Sequence, residues 1–443
     1  MSEVLVLGAG MAGLGAAHRL RAEGVDAKVY EKLPYSGGHA ASFHHEGGYV
    51  FDDGPHISFT KDERVQSLFA EAVGGEYETL HARVNNYWKG YWIKHPAQVN
   101  LHGLPEDLLV RILADFVRAH DKEEGARPEN YAQWLVASFG RTFAETFPMV
   151  YGLKYHTTEA ANMSTDWLGP RLYRPELEEV LRGILSPSTP DVHYVSHFRY
   201  PTRGGFGAFL RSFEDAADIR LGEEVVEVDP GGRTVRFAGG RVLGYEALIS
   251  SIPLPELIPR IVGAPQQVRE AASRLAATSC VTVNLGVERE DLSEAHWSYF
   301  YDPDLFFTRA SFPHMFSPHN APPGVGTIQA EVYYSQKYRP VDRTPEACIE
   351  PVIRDMRRCG IIREQDRIVF QEARFIPYAN VIFDLDRAPA LEVVHGYLDS
   401  VGIRYAGRYG EWGYHWTDDA LLSGEKAAQS VLDGLGCGQG VAP

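Results

Sequence analysis

A chain of 443 residues with 44% hydrophobic and 23% charged residues has an ordinary globular composition, and it is too long for one ordinary core, so two or three domains are expected. A formal net charge of −16 disfavours nonspecific binding to nucleic acid or anionic lipid, and any anionic ligand must be held by a local cluster of Arg or Lys. Four scattered cysteines (Cys280, Cys348, Cys359, Cys437) form no CxxC, which argues against a zinc site or a disulfide framework; with no signal-peptide pattern and no run near the roughly 20 apolar residues of a membrane span, a cytoplasmic protein is expected.

Val4–Leu7 reads as a short buried strand and Gly8-Ala9-Gly10-Met11-Ala12-Gly13 as a turn. Leu14–Glu23 follows as a helix with Leu14, Ala17 and Leu20 on one face, and Ala27–Tyr30 as a second strand ending at Glu31. Residues 104–184 are mostly helical, with apolar repeats such as Leu108, Leu109, Ile112, Leu113 and Phe116. Short strands are expected at Glu224–Val228, Thr234–Phe237 and Ala247–Ser251, alternating strands at 280–287 and 327–334, and a closing helix over 419–434. The pattern predicts an α/β fold with a Rossmann-like cofactor domain built from separated segments (1–85, 202–265 and 396–443). A mainly helical substrate domain (86–201) and a strand-rich one (266–395) are inserted in it.

Gly8, Gly10 and Gly13 form GxGxxG between a strand and a helix. The first glycine permits the tight turn, the second lets a pyrophosphate approach the backbone, and the third lets helix pack on strand. The helix N-terminus then faces the phosphates with unpaired N–H groups. Glu31, eighteen residues after Gly13, stands where a carboxylate holds ribose hydroxyls. A nicotinamide enzyme shares this much. Downstream, Glu31-Lys32 is followed by Gly37-Gly38-His39-Ala40-Ala41-Ser42 and by Phe51-Asp52-Asp53-Gly54-Pro55-His56. This double segment resembles the FAD family of amine oxidases, phytoene desaturases, protoporphyrinogen oxidases and UDP-galactopyranose mutases. The resemblance implies noncovalent FAD, held by Gly8, Gly10, Ala12, Gly13, Glu31, Lys32, Gly37, Gly38, His39, Gly54, Pro55 and His56. Tyr405-Ala406-Gly407-Arg408, with Tyr414, Asp418, Asp419 and Gly424, resembles the family's second FAD stretch, and Val225 its adenine-contacting strand residue.

Within that family the chain is most similar to the mutase branch. Trp92–Leu101 followed by Leu104-Pro105, which carries His95, Gln98 and Asn100, resembles the mutases' nucleotide segment. Lys154, Trp167 and Arg171 lie in further matching stretches. Tyr299 and Arg309, ten positions apart, resemble a substrate tyrosine and a diphosphate-binding arginine; Tyr378 resembles a second diphosphate tyrosine, and Arg408 and Tyr414 the second arginine and another tyrosine. Two planar guanidinium forks on one pocket would suit a diphosphate in an acidic protein. The chain departs from the mutases at His95 and Ala97, where they place aromatic residues beside uracil, and at Asp418, where they have asparagine.

The resemblance implies a flavin-dependent isomerase acting on a nucleotide diphosphate sugar. In it the N5 of reduced FAD attacks the anomeric carbon, Arg309 and Arg408 stabilise the departing diphosphate, His56 faces the flavin, and NAD(P)H supplies the electrons from outside. The rival expectation is an FAD-dependent oxidase or desaturase, with oxidised flavin taking hydride from an amine or a C–C bond framed by Trp412, Tyr414 and Trp416. A third is a flavin-stabilised binding protein without chemistry.

Overall fold

The computed structural model describes residues 3–120, 128–169, 172–190, 192 and 194–436. Its first layer is a five-stranded parallel sheet in the order Ile403–Tyr405, Ala247–Ser250, Val4–Leu7, Ala27–Tyr30, Asp218–Arg220. Val4–Leu7 is central and wholly buried, which is why it reads as an unbroken apolar run. The helix Met11–Ala22 covers this sheet and packs closely on the closing helix Thr417–Gly434. Glycines make that approach possible: a Cβ at Gly15 would lie 2.5 Å from the Leu421 carbonyl oxygen, and one at Gly424 would lie 1.9 Å from that of Ala12.

The second layer is a seven-stranded sheet in the order Ile368–Val381, Ala277–Val287, Gly326–Ser335, Arg309–Ser311, Trp297–Phe300, Val84–Trp88, Tyr91–Lys94. All its neighbours are antiparallel except Trp297–Phe300 with Val84–Trp88. Side chains alternate between its faces. Val281, Val283, Ala310, Ala330 and Val332 form a core with Val352, Ile353 and Met356 of the helix Ile349–Arg358. The opposite face carries a transverse polar row in direct register: Asn86, Tyr299, Arg309, Glu331, Thr282 and Arg374.

Helices Glu106–His120, Tyr131–Phe139, Arg141–Thr146, Pro148–His156 and Leu177–Leu185 make the third layer, around Leu108, Ile112, Leu135, Phe139 and Phe147. No helix among the described residues is long and apolar enough to cross a membrane.

The strands and helices read from the sequence are present within a few residues, but three assignments shift. Tyr77–His81, grouped by sequence with the cofactor segment, pairs instead with His197–Pro201, and Val84–Trp88, which straddles the expected boundary at 85/86, pairs with Trp297–Phe300. Helix Gln266–Arg274, expected in the strand-rich segment, and helix Arg387–Ser400, which straddles its expected end at 395, pack on one another and share a core with Leu5 and Leu7 of the parallel sheet. The 14-residue strand Ile368–Val381 was not anticipated. It holds Pro377 and several charges and alternates poorly, because it is the sheet's edge, and its register breaks between Ile376 and Asn380, where a proline costs no ladder bond.

Candidate functional site

A cleft of about 350 Å³ opens over the C-terminal end of Val4–Leu7. Gly8 has φ +99°, and a Cβ there would meet Ser251 Oγ at 2.2 Å; a Cβ at Gly13 would meet the Gly8 carbonyl oxygen at 1.9 Å. The second glycine pair packs on the first, with Gly37 N donating to Ala9 O at 2.8 Å and Gly38 facing the Gly10 Cα. Two bare backbone loops thus line one wall, beside the N-terminus of Met11–Ala22, with Ala12 also in the lining. Glu31 lines the cleft with its oxygens accepting from Ala9 N and Leu33 N, both at 2.9 Å, which fixes the carboxylate and leaves lone pairs for ribose hydroxyls. Val225 and Lys32 line the same cleft, Lys32 paired with Glu256 at 3.1 Å. This arrangement fits a dinucleotide pyrophosphate: N–H donors at a helix start, no side chain at the closest glycines, and an oriented carboxylate.

The cleft also holds His39, His56, Gly407, Arg408 and Tyr409. His56 Nδ1 donates to the Gly54 carbonyl at 2.8 Å, and burial lowers the imidazole to about 4, so at neutral pH the ring is uncharged with Nε2 as an acceptor. Gly54 (φ +86°) and Pro55 shape this turn without lining the cleft. His39 is held by Asp53 (Nδ1 to Oδ2, 3.3 Å) and by the Tyr409 hydroxyl (3.0 Å).

A second cavity, of about 230 Å³, lies between the polar face of the seven-stranded sheet and the helical layer. Here the fold brings together His95, Gln98, Trp167, Tyr299, Arg309 and Tyr414 from segments more than 300 residues apart. Tyr131, Tyr151, Tyr155, Tyr173, Tyr194 and Tyr301 add further phenols. His95 Nδ1 meets Asn86 Oδ1 at 3.0 Å, and its ring lies 5.0 Å from that of Tyr299. Tyr414 lies nearly parallel to Trp167 at 6.3 Å. Burial lowers His156 to about 3, so it is neutral. Among the described lining residues, Arg309 is the one Arg or Lys.

Geometry corrects several of the sequence expectations. The two arginines do not converge: Arg309 lines the second cavity and Arg408 the cofactor cleft. Arg408 is largely spent, with Nε and Nη2 donating to His415 O (3.0 and 2.6 Å) and Nη1 to Ala379 O (2.8 Å) and Asn380 Oδ1 (3.4 Å). Four of its five N–H groups are thereby used, so it has no free fork for a diphosphate. Tyr378 lies in the cleft, 5.5 Å from Tyr409, and not beside Arg309. Tyr414, expected at both the flavin and the substrate, lines the second cavity and not the cofactor cleft.

Asn100 is buried, donating to Pro96 O at 2.8 Å and accepting from the Thr189 hydroxyl. Lys154 faces away from the cavity and pins the helical layer to the sheet through Phe300 O (3.1 Å) and Asp302 O (2.9 Å), with burial lowering its ammonium to about 7. Asp419 caps the closing helix by accepting from Trp416 N at 3.0 Å, and neither it nor Asp418 lines the cleft. Ala97 belongs to the helical core. Arg171 lies outside the described residues.

Sequence reading missed Glu331. It stands opposite Arg309 in the ladder, 5% exposed, and its carboxylate takes the Arg309 fork: Nε to Oε2, and Nη2 to Oε1 at 2.8 Å. Burial works against the Arg309 charge, but Glu331 more than compensates and holds the guanidinium well above its ordinary range. The signal was the single charged side chain in the buried strand Gly326–Ser335. Asp53, Tyr409 and Arg374 were missed as well, because their roles depend on pairing between residues far apart in the sequence.

A profile of the family described as flavin containing amine oxidoreductase matches residues 11–432. The crystal structure of a reduced UDP-galactopyranose mutase superposes with a TM-score of 0.92 at 27% identity, covering 98% of this chain and 96% of that one. The chain is also similar to the 4,4'-diapolycopene oxygenase of Methylomonas sp, 23% identical over 357 residues, or 71% of this chain and 68% of that protein. The 1-hydroxycarotenoid 3,4-desaturase of Flavobacterium sp. (strain P99-3) is 41% identical over 70 residues, which span only 15% of this chain and 14% of the desaturase.

Proposed function

Because the chain belongs to the family of flavin-containing amine oxidoreductases, we propose that it is a flavin-dependent mutase that interconverts the pyranose and furanose forms of a nucleotide sugar. The observation that carries this reading is the second cavity, where Tyr299, Arg309, Tyr414, His95, Gln98 and Trp167 meet beside the cofactor cleft. Its walls are aromatic faces with polar tips, which suit a sugar ring and its hydroxyls better than a long hydrocarbon. The 27% identity to a reduced mutase over nearly the whole chain supports the same reading.

Bound in the cleft and reduced, FAD would supply an electron-rich nitrogen for displacement at the anomeric carbon. Arg309 stabilises the departing diphosphate with the N–H groups that Glu331 leaves unused. Tyr299, its hydroxyl accepting from Trp297 Nε1 at 3.1 Å, and Tyr414 orient the sugar diphosphate. His56 stays neutral beside the cofactor and presents an acceptor, not a charge. NAD(P)H is the proposed external reductant, and bases other than uracil belong among the candidate substrates, since His95 lines the cavity and Ala97 offers no stacking surface.

Turnover of candidate nucleotide sugars, followed anaerobically by chromatography with oxidised and dithionite-reduced enzyme, tests this. Conversion only by the reduced enzyme, with no net consumption of reductant, is the expected result. One observation favours a second reading as an FAD-dependent oxidase or desaturase: the Arg309 charge is already balanced by Glu331, so an uncharged substrate is not penalised. Oxygen-dependent peroxide formation by the oxidised enzyme with an amine or polyene, and no sugar conversion, would establish that reading instead.

A further inference from the structure

The polar row across the seven-stranded sheet carries charges of both signs. Arg309 stands against Glu331, and Arg374, two strands further on, reaches Asp53 at 3.5 Å. Each cation on this face therefore has a carboxylate before any ligand arrives. At Arg309 the pairing is built in at three points. The two residues are direct partners in the ladder, their forks face one another, and Glu331 Oε1 is further fixed by the Tyr333 hydroxyl at 2.9 Å. Glu331 does not itself line the cavity, so it acts through the arginine. Its Oε1 also lies 3.9 Å from the position a Cβ would take at Gly54, in the turn that carries His56.

We infer that Glu331 is a positioning residue that sets how tightly the Arg309 cavity holds a diphosphate. It aims the guanidinium along the sheet and shares its charge, so the anion is held loosely enough to leave and return within one turnover. The inference rests on the mutase reading for its purpose, but its test does not. A ligand anion competes with the Glu331 carboxylate for the same guanidinium, whereas an uncharged ligand does not. Removing the carboxylate charge should tighten anions selectively, by roughly the 10- to 100-fold that one charge-assisted hydrogen bond contributes.

The experiment measures binding alone, by calorimetry on flavin-loaded protein, for UDP and ADP and for their uncharged counterparts uridine and adenosine. Glu331→Gln is expected to tighten the diphosphates about 10-fold or more and to leave the nucleosides within about threefold. Arg309→Met, which strands Glu331, is expected to weaken the diphosphates by at least about 10-fold. The double variant R309M/E331M removes both charges and leaves neither buried alone, so it should fold even where a single variant does not. It is expected to bind diphosphates more tightly than Arg309→Met. Diphosphate affinity that is unchanged or lower in Glu331→Gln with flavin content retained, or that is equal in the double variant and Arg309→Met, overturns the inference. Tightened binding in an enzyme that converts no nucleotide sugar would leave the inference standing and remove the mutase reading.

Discussion

Replacing Arg408 with alanine separates a ligand-binding arginine from a structural one. The side chain ties the loop that follows Gly407 to the edge strand Ile368–Val381 through His415 O and Ala379 O. That loop lines the cofactor cleft with Gly407, Tyr409, His415 and Trp416. Hydrogen bonds to a charged group contribute about 1.5–3 kcal/mol each, and water replaces part of that at a half-buried site, so the loss should total about 3 kcal/mol. If cofactor binding must then re-order the loop, FAD affinity should fall about 100-fold. The melting temperature of the holoprotein should drop by several degrees. The assay is the flavin-to-protein ratio after gel filtration, with FAD titrated into apoprotein and followed by flavin fluorescence. Arg408→Lys keeps the charge but cannot reach both carbonyls in fork geometry, so it should fall between wild type and alanine. An Arg408→Ala protein that stays fully flavinated, melts with the wild type and loses only diphosphate affinity would refute the structural role.

Three further outcomes are expected. Gly38→Ala places a methyl 3.1 Å from Gly10 Cα at φ +56°, and should cut FAD occupancy measured by absorbance while an exposed control, Gly240→Ala, does not. Burial depresses His56 and His296 to about 4 and His156 to about 3, so the unfolded chain binds protons near pH 6.5 that the folded chain refuses. The stability they contribute is present above pH 6.5 and lost on acidification, by about 1.4 kcal/mol per histidine per pH unit. Asp52, raised by burial to about 6, acts in the opposite sense and offsets one of the three, so the urea midpoint should fall steeply between pH 6 and 4; a flat profile would contradict their burial. Gly424→Ala sets a Cβ 1.9 Å from the Ala12 carbonyl oxygen and should lower both melting temperature and flavin content, since it wedges apart the helices that frame the glycine turn.

What could be read from the chain alone was local. A buried parallel strand is a short apolar run, a phosphate turn needs glycines at fixed offsets, and an acid at the end of the second strand completes the unit, so Gly8, Gly10, Gly13 and Glu31 could be assigned from spacing. The residues of the second cavity could be nominated by resemblance, and six of them do meet there. Their partners could not. Whether an arginine faces a ligand or a carbonyl depends on what the sheet register and loop closure set opposite it. The same residue type, in equally suggestive motifs, is spent on His415 and Ala379 at Arg408 and shared with Glu331 at Arg309. Asn100 and Lys154 follow the same rule, since polar groups placed near a site are consumed by buried backbone that needs donors. The edge strand Ile368–Val381 supplies carbonyl partners to Arg408 and places Arg374 and Tyr378 in the cleft. Only its tertiary position at the sheet edge, where a proline and charges cost no ladder bond, made it a strand.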